Sequence, residues 1–117
     1  MAARAIQRWV RQSPRKMRLV IDQVRGKDVN EAYALLRFSK KRAAKQIEKV
    51  LRSAVANAEQ DALKDNRAFD VDRLVVSYAV VNEGPTLRRY TAAAYGRATP
   101  LLKRMSTVEI RVAEKEE

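Results

Sequence analysis

A chain of 117 residues is long enough for one domain, which can bury roughly two thirds of the surface that its unfolded chain would expose. It has no cysteine and no histidine, which excludes disulfides, thiolate zinc sites and nucleophilic mechanisms that use a Cys/His or Ser/His pair. Its formal net charge of +11 favours a polyanionic partner, nucleic acid before an anionic membrane, and we expect no enzyme, no cofactor and no metal site.

The first predicted element is a short strand, because residues 3–11 alternate roughly between two faces. A basic amphipathic helix is predicted next, for which Ser13 suits the N-cap, Pro14 the first helical position and Gly26 a left-handed end. Its apolar face is predicted to contain Met17, Val20, Ile21 and Val24.

A second helix is predicted over residues 28–39, where Asp28 and Glu31 can form a capping box. The longest periodic segment, residues 40–64, is predicted to be the main core helix, with lysines following one another on a different face. Its apolar face is predicted to contain Ala44, Ile47, Leu51, Ala54, Val55 and Ala58.

Two further strands are predicted from β-branched and aromatic residues, over residues 69–81 and 106–113. The order is strand, three helices, strand, long connection, strand. It predicts an α+β fold, in which three helices pack on a small antiparallel sheet. We expect a single domain over residues 1–117, with a frayed tail at residues 114–117.

The charges of the chain are clustered. Residues 4–27 carry eight cations and one acid, and residues 37–52 carry seven cations and one acid. Residues 53–83 reverse the balance, with three cations and six acids. A uniformly solvated surface would intersperse the two signs, so this clustering predicts several separate contacts with a polyanion.

The connection between the last two strands, residues 84–104, reads GPTLRRYTAAAYGRATPLLKR and carries five cations and no acid. It is either a disordered surface loop or a long β-hairpin that protrudes from the domain. With Ala93 at the apex and Tyr78 and Val108 at the base, each arm would reach roughly 45 to 50 Å. An isolated two-stranded ribbon is marginally stable in water, so we expect nucleic acid to hold it.

Five segments resemble, in order and spacing, the L twenty-two family of large-subunit ribosomal proteins. They are SPRKMRLVIDQVRGK (13–27), KVLRSAVANA (49–58), NEGPTLRRY (82–90), GRA (96–98) and KRMS (103–106). The resemblance implies an α+β domain on large-subunit ribosomal RNA near the exit of the nascent-peptide tunnel. It also implies that the hairpin runs inward through the RNA, that its tip lies at the tunnel wall near the site of macrolide action, and that the protein assists subunit assembly.

The implied partners are large-subunit ribosomal RNA, neighbouring ribosomal proteins and the nascent polypeptide, in the cytoplasmic ribosome, with no membrane and no homo-oligomer. The positions that match the family also include Pro14, Gly84, Pro85 and Gly96. The sequence departs from the family at the tip, where Ala92 to Tyr95 replace a Pro-Arg-Ala-Arg or Pro-Arg-Ala-Lys segment, and at Thr107, where a histidine is usual. Up to two cations that could meet phosphate are therefore absent, and Tyr95 could stack on a base instead.

The candidate RNA-binding residues are Arg11, Ser13, Arg15, Lys16, Arg18, Arg25, Lys27, Lys40, Lys41, Lys45, Lys49, Arg88, Arg89, Tyr90, Tyr95, Arg97, Lys103 and Arg104. The expected tunnel-facing tip consists of Thr91, Ala92, Ala93 and Ala94. The lysines could instead be a solvated helix face, and the two tyrosines could pack across the ribbon. Trp9 and Tyr33 are interpreted as core or domain-edge aromatics and are left outside the site.

Two other functions compete with this one. A DNA-binding protein could place the ribbon in a groove, since charge alone does not distinguish RNA from DNA. An enzyme would need a converging acid/base pair, and most carboxylates lie in the acidic segment or at helix starts; loss of a turnover on substitution of Asp22 or Glu48 would support an enzyme.

Overall fold

A computed structural model describes residues 2–92 and 94–114 of the chain. These residues form three helices and a three-stranded antiparallel sheet in the order β1-β3-β2. The elements are β1 (Ala2–Val10), α1 (Pro14–Val24), α2 (Val29–Phe38), α3 (Arg42–Lys64), β2 (Leu74–Ala92) and β3 (Ala98–Glu114). The α+β prediction is confirmed. Within these residues, no helix combines the length and the apolar character needed to cross a membrane.

The core lies between the helices and one face of the sheet. Alternation along β3 directs Val108, Ile110 and Val112 toward the helices, and all three are fully buried. On α3 the predicted positions are buried except Val55, which is half-buried. The small side chains of Ala54 and its neighbours on α3 allow the helix to lie close to β1 and β3.

Two helix starts differ in detail from the sequence prediction. Ser13 and Asp28 are the N-caps of α1 and α2, but neither side chain makes a capping hydrogen bond. The predicted capping box between Asp28 and Glu31 is therefore wrong. The start of α2 is held by backbone contacts with β2 instead, since Asp28 bridges Val75 and the amide of Val76 donates to the carbonyl of Lys27 at 2.9 Å.

The long connection is a β-hairpin, so the disordered-loop interpretation is wrong. β2 and β3 pair from Leu74–Glu114 at one end to Ala92–Ala98 at the other, and no loop interrupts the pairing. β1 ends where Val10 pairs with Ser106, and beyond that point the sheet has only two strands. We call this two-stranded part, residues 84–104, the ribbon. It extends the described molecule to 67 Å along its longest axis.

A bulge marks the root of the ribbon. Glu83 pairs with Ser106 and Thr86 pairs with Arg104, so Gly84 and Pro85 together oppose one residue of β3. A Cβ atom on Gly84 would lie 3.2 Å from the carbonyl oxygen of the opposing residue, which leaves little room for any side chain. Pro85 has no N–H to donate, and a bulge is one of the few places where a strand tolerates it.

The apex of the hairpin lies further along the chain than the alanine run predicted. The last strand pair is Ala92–Ala98, and the turn between them includes Tyr95 and Gly96, whose φ angles of 60° and 70° are left-handed. Glycine adopts this conformation without steric cost, so Gly96 favours a turn centred after the alanine run. The predicted apex, Ala93, lies outside the described residues.

The predicted base of the hairpin shifts with the apex. Val108 pairs with Val81, and Tyr78 pairs with Arg111, which puts the predicted base three residues out of register. At the end of the chain, Glu114 is the last residue of β3, and residues 115–117 lie outside the described part.

Candidate nucleic-acid interface

A basic cleft of about 610 Å³ lies at the root of the ribbon. Residues from four separate parts of the chain line it: the β1–α1 turn, the start of α1, the start of α3 and β3. Its lining consists of Arg11, Gln12, Ser13, Lys16, Arg42, Leu102, Lys103, Arg104 and Met105. Five of these side chains are cations and none is an acid. We call this surface the root cleft.

The local structure explains why these cations converge. Ser106 is fully buried, and its hydroxyl donates a 2.6 Å hydrogen bond to the carbonyl oxygen of Gln12. This bond ties β3 to the turn between β1 and α1. Lys103 and Arg104, three and two residues before Ser106, are thereby placed beside Arg11, which is about 90 positions away in sequence.

The backbone adds positive charge to the same place. Both α1 and α3 begin at the root cleft, neither has an acid in its first turn, and neither N-cap side chain accepts a hydrogen bond from the helix. The first amide N–H groups of each helix therefore carry their partial positive charge without a carboxylate in the same turn. Among residues 2–92 and 94–114, no acid forms an ion pair with any of the five cations. This arrangement suits the phosphates of a polyanion.

The ribbon presents cations on both of its faces. Side chains of directly paired residues share a face, and successive pairs alternate. Arg88 pairs with Leu102 on one face, and Arg89 pairs with Leu101 on the other. Among the described residues of the ribbon beyond the bulge, none is buried, so neither face packs on the domain. A partner can therefore contact the ribbon from two sides.

The two tyrosines of the ribbon differ in their surroundings. Tyr90 stands opposite Pro100 in the strand ladder, which fits the cross-strand packing that the sequence left open. Tyr95 lies in the turn, where it has no cross-strand partner and is 100% exposed. Tyr90 is also exposed, at 68%, so Tyr95 is the more accessible of the two rings for base stacking.

Two candidate arginines, one in α1 and one at its C-cap, have partners within the chain. Arg25 donates two hydrogen bonds, at 2.7 and 3.0 Å, to the carbonyl oxygen of Ala79 and forms a 2.9 Å ion pair with Asp22. Arg18 donates through Nε to the carbonyl oxygen of Val81 at 3.1 Å. Both side chains thus fasten α1 to β2.

Replacement of Arg25 by alanine is therefore expected to lower the free energy of unfolding by about 1–2 kcal/mol, since hydrogen bonds from a charged donor are lost. Urea denaturation measures this. The control is Arg15→Ala on the same helix, an exposed position at which we expect a change within about 0.5 kcal/mol. An unchanged stability in Arg25→Ala would show that the two hydrogen bonds contribute nothing to the fold.

The remaining candidates on the helices lie outside the root cleft. Lys49 lines a separate shallow concavity against β1, and Lys27 lines another beside α2. Lys40, Lys41 and Lys45 are exposed near the start of α3 but do not line the cleft. The structure therefore brings together only part of the candidate set.

The sequence reasoning missed Arg42. The helical spacing of the lysines favoured a lateral face of α3 as the binding surface. Arg42 is instead the first residue of α3, and it lines the root cleft. The sequence does contain a signal for Arg42, which is the absence of acids at the start of a long helix. An acid there would interact favourably with the helix dipole, so its absence is expected where an anion binds. Trp9 is 64% exposed, so of the two interpretations offered for it the core position is wrong and the domain-edge position fits.

A second concavity of about 500 Å³ lies between α2 and α3 and has a mixed charge. Arg52 and Glu48 face each other there in a 2.9 Å ion pair, beside Tyr33 and Phe38. Burial raises the pKa of the Tyr33 phenol, Arg52 lowers it to a smaller extent, and Glu48 raises it slightly. The phenol is thus protonated at neutral pH and cannot act as a general base.

The chain is similar to known proteins along nearly its whole length. Residues 5–113 match the family model described as ribosomal protein L22p/L17e. The chain is 50% identical over 115 residues to the large ribosomal subunit protein uL22 of Clostridium novyi (strain NT), an alignment that covers 98% of this chain and 99% of that protein.

Proposed function

The chain belongs to the ribosomal protein L22p/L17e family and is a protein of the large ribosomal subunit, and we propose that it acts there by binding ribosomal RNA, without catalysis. It assists assembly of the subunit and lays its hairpin along the nascent-peptide exit tunnel. The observation that best supports this proposal is the root cleft, where cations from four parts of the chain meet two helix starts at the point where the ribbon leaves the domain.

The mechanism is positioning and charge neutralisation. The root cleft holds phosphates of large-subunit ribosomal RNA, which fixes the domain and therefore the direction in which the ribbon projects. The ribbon carries cations on both faces, so RNA can enclose it, and the bound RNA supplies the stability that two strands alone lack. Neighbouring ribosomal proteins contact the parts of the domain that RNA leaves exposed.

The described residues of the expected tunnel-facing tip, Thr91, Ala92 and Ala94, carry no charge. Thr91 and Ala92 form the last strand pairs with Thr99 and Ala98, and Ala94 begins the turn. We propose that these small, uncharged side chains face the tunnel and pass the nascent polypeptide without binding it, while Tyr95 stacks on a base of the tunnel wall.

Cosedimentation of the full chain with large ribosomal subunits tests the proposal. If six or more phosphates are neutralised, affinity for protein-free large-subunit ribosomal RNA should fall about a thousandfold or more between 50 and 200 mM salt. A weak salt dependence would contradict an extended cationic interface. Duplex DNA serves as the comparison ligand, and a preference for DNA would favour the alternative of a DNA-binding protein.

A further inference from the structure

Trp9, the only tryptophan of the chain, has an unusual backbone and an unusual exposure. It lies in β1 at the register shift between Gln7 and Val10, with a left-handed φ of 63°. Bulges of this kind favour glycine at the left-handed position, because any Cβ is sterically unfavourable there. The indole side chain is 64% exposed, so core packing does not compensate for the conformation.

A residue held in an unfavourable conformation without internal packing points to a role outside the folded chain. The surroundings of Trp9 indicate which one. Arg8 and Arg11 flank it and are exposed, and Arg11 lines the root cleft. No acid occurs between residues 2 and 21, so the ring lies in a uniformly basic stretch of the chain. An exposed indole between cations is the combination that single-stranded nucleic acid recognises, through base stacking and phosphate contacts.

We propose that Trp9 stacks on an unpaired base of large-subunit ribosomal RNA whose backbone continues into the root cleft. The proposal rests on the proposed function and extends it, because it adds a base contact to a site otherwise made of phosphate contacts. Because Trp9 and the flanking arginines are all exposed, the ring and the cations can contact one strand. Stacking is possible with any base, so the contact adds affinity and positions the strand whatever the RNA sequence is.

The intrinsic fluorescence of Trp9 reports this contact directly, since no other tryptophan contributes. The full chain is titrated with protein-free large-subunit ribosomal RNA, and emission and acrylamide accessibility are recorded while filter binding follows complex formation. We expect quenching of the emission and protection from acrylamide in step with binding. RNA binding without either change overturns the stacking proposal and leaves the root cleft intact, whereas absence of RNA binding overturns both.

Substitutions separate stacking from a structural role. Trp9→Phe should keep RNA affinity within about threefold, whereas Trp9→Gly should lower it about tenfold or more. Trp9→Gly should also leave the unfolding temperature unchanged or raise it, because glycine suits the left-handed bulge. Phe38→Ala, which removes a ring that is 82% exposed on α2, is the control and should keep the affinity of the parent chain. A lower unfolding temperature in Trp9→Gly, with unchanged affinity, overturns the proposal.

Discussion

Replacement of Lys16 and Arg42 together by glutamate is expected to lower affinity for large-subunit ribosomal RNA by about a hundredfold or more at 100 mM salt. Each cation lines the root cleft, so each substitution removes a charged contact with phosphate and adds a repulsion. Two lost contacts should also reduce the slope of affinity against salt by about two. Filter binding at several salt concentrations measures both quantities.

The same double variant should be as stable as the parent chain or more stable. Lys16 lies in the first turn of α1 and Arg42 is the first residue of α3, where a carboxylate interacts favourably with the helix dipole. The gain is about 0.3–1 kcal/mol at each helix. Lower RNA affinity together with unchanged or higher stability would show that these residues contribute to binding and not to folding. A residue that stabilises the fold would instead lower the stability when it is replaced.

The matched control is Arg37→Glu with Lys64→Glu, which changes the net charge by the same amount. Both positions lie in the last turns of helices, away from the root cleft, so stability should fall slightly while RNA affinity stays within a few-fold of the parent value. Equal loss of affinity in the two double variants would show that net charge, and not the root cleft, governs binding.

Removal of the ribbon is expected to abolish salt-resistant binding to the large subunit and to leave the domain folded. Thr86 and Arg104 are cross-strand partners, so an Asn-Gly turn in place of residues 87–103 closes the hairpin without changing the register below it. None of the described residues in the removed segment is buried in the core. The unfolding temperature should therefore stay within a few degrees, since the buried contacts remain.

Circular dichroism and cosedimentation through a salt gradient measure the two effects of ribbon removal. The shortened chain loses Arg88, Arg89, Arg97 and Lys103 but keeps most of the root cleft, so weak binding at low salt should survive. Loss of the cooperative unfolding transition would show that the ribbon belongs to the core. Binding that withstands the same salt as the full chain would show that the ribbon contributes little affinity.

Periodicity in the sequence was sufficient to predict the helices, the presence of three strands and most of the core, although β2 begins at Leu74 and not at the predicted residue 69. The apolar face of α3 followed directly from its spacing, because one helix face must be buried against the sheet. The hairpin also followed, since strand-forming residues flank a basic segment that has no core of its own. The register of the hairpin could not be predicted. It depends on bulges at Gly84–Pro85 and near Ser77 and on the left-handed turn at Tyr95–Gly96, which local backbone geometry sets.

The candidate site was only partly predictable, for a different reason. Composition identifies cations, but it does not distinguish a cation that meets a partner from one that meets the chain's own carbonyl groups. Arg25 binds the carbonyl of Ala79, a contact across 54 positions of sequence. Arg42 faces the root cleft only because α3 starts beside β3, which tertiary packing decides. Long-range contacts of this kind leave no periodic signal.

The two-stranded ribbon has a consequence for the protein before it reaches the ribosome. Between Ser106 and the tip, β3 no longer pairs with β1, and β2 is the outer strand of the sheet, so both edges of the ribbon can pair with another copy. Arginine and lysine side chains on both faces, together with Pro85 and Pro100 in the strands, oppose such edge-to-edge aggregation. The charges proposed to bind RNA thus also keep the unassembled protein soluble.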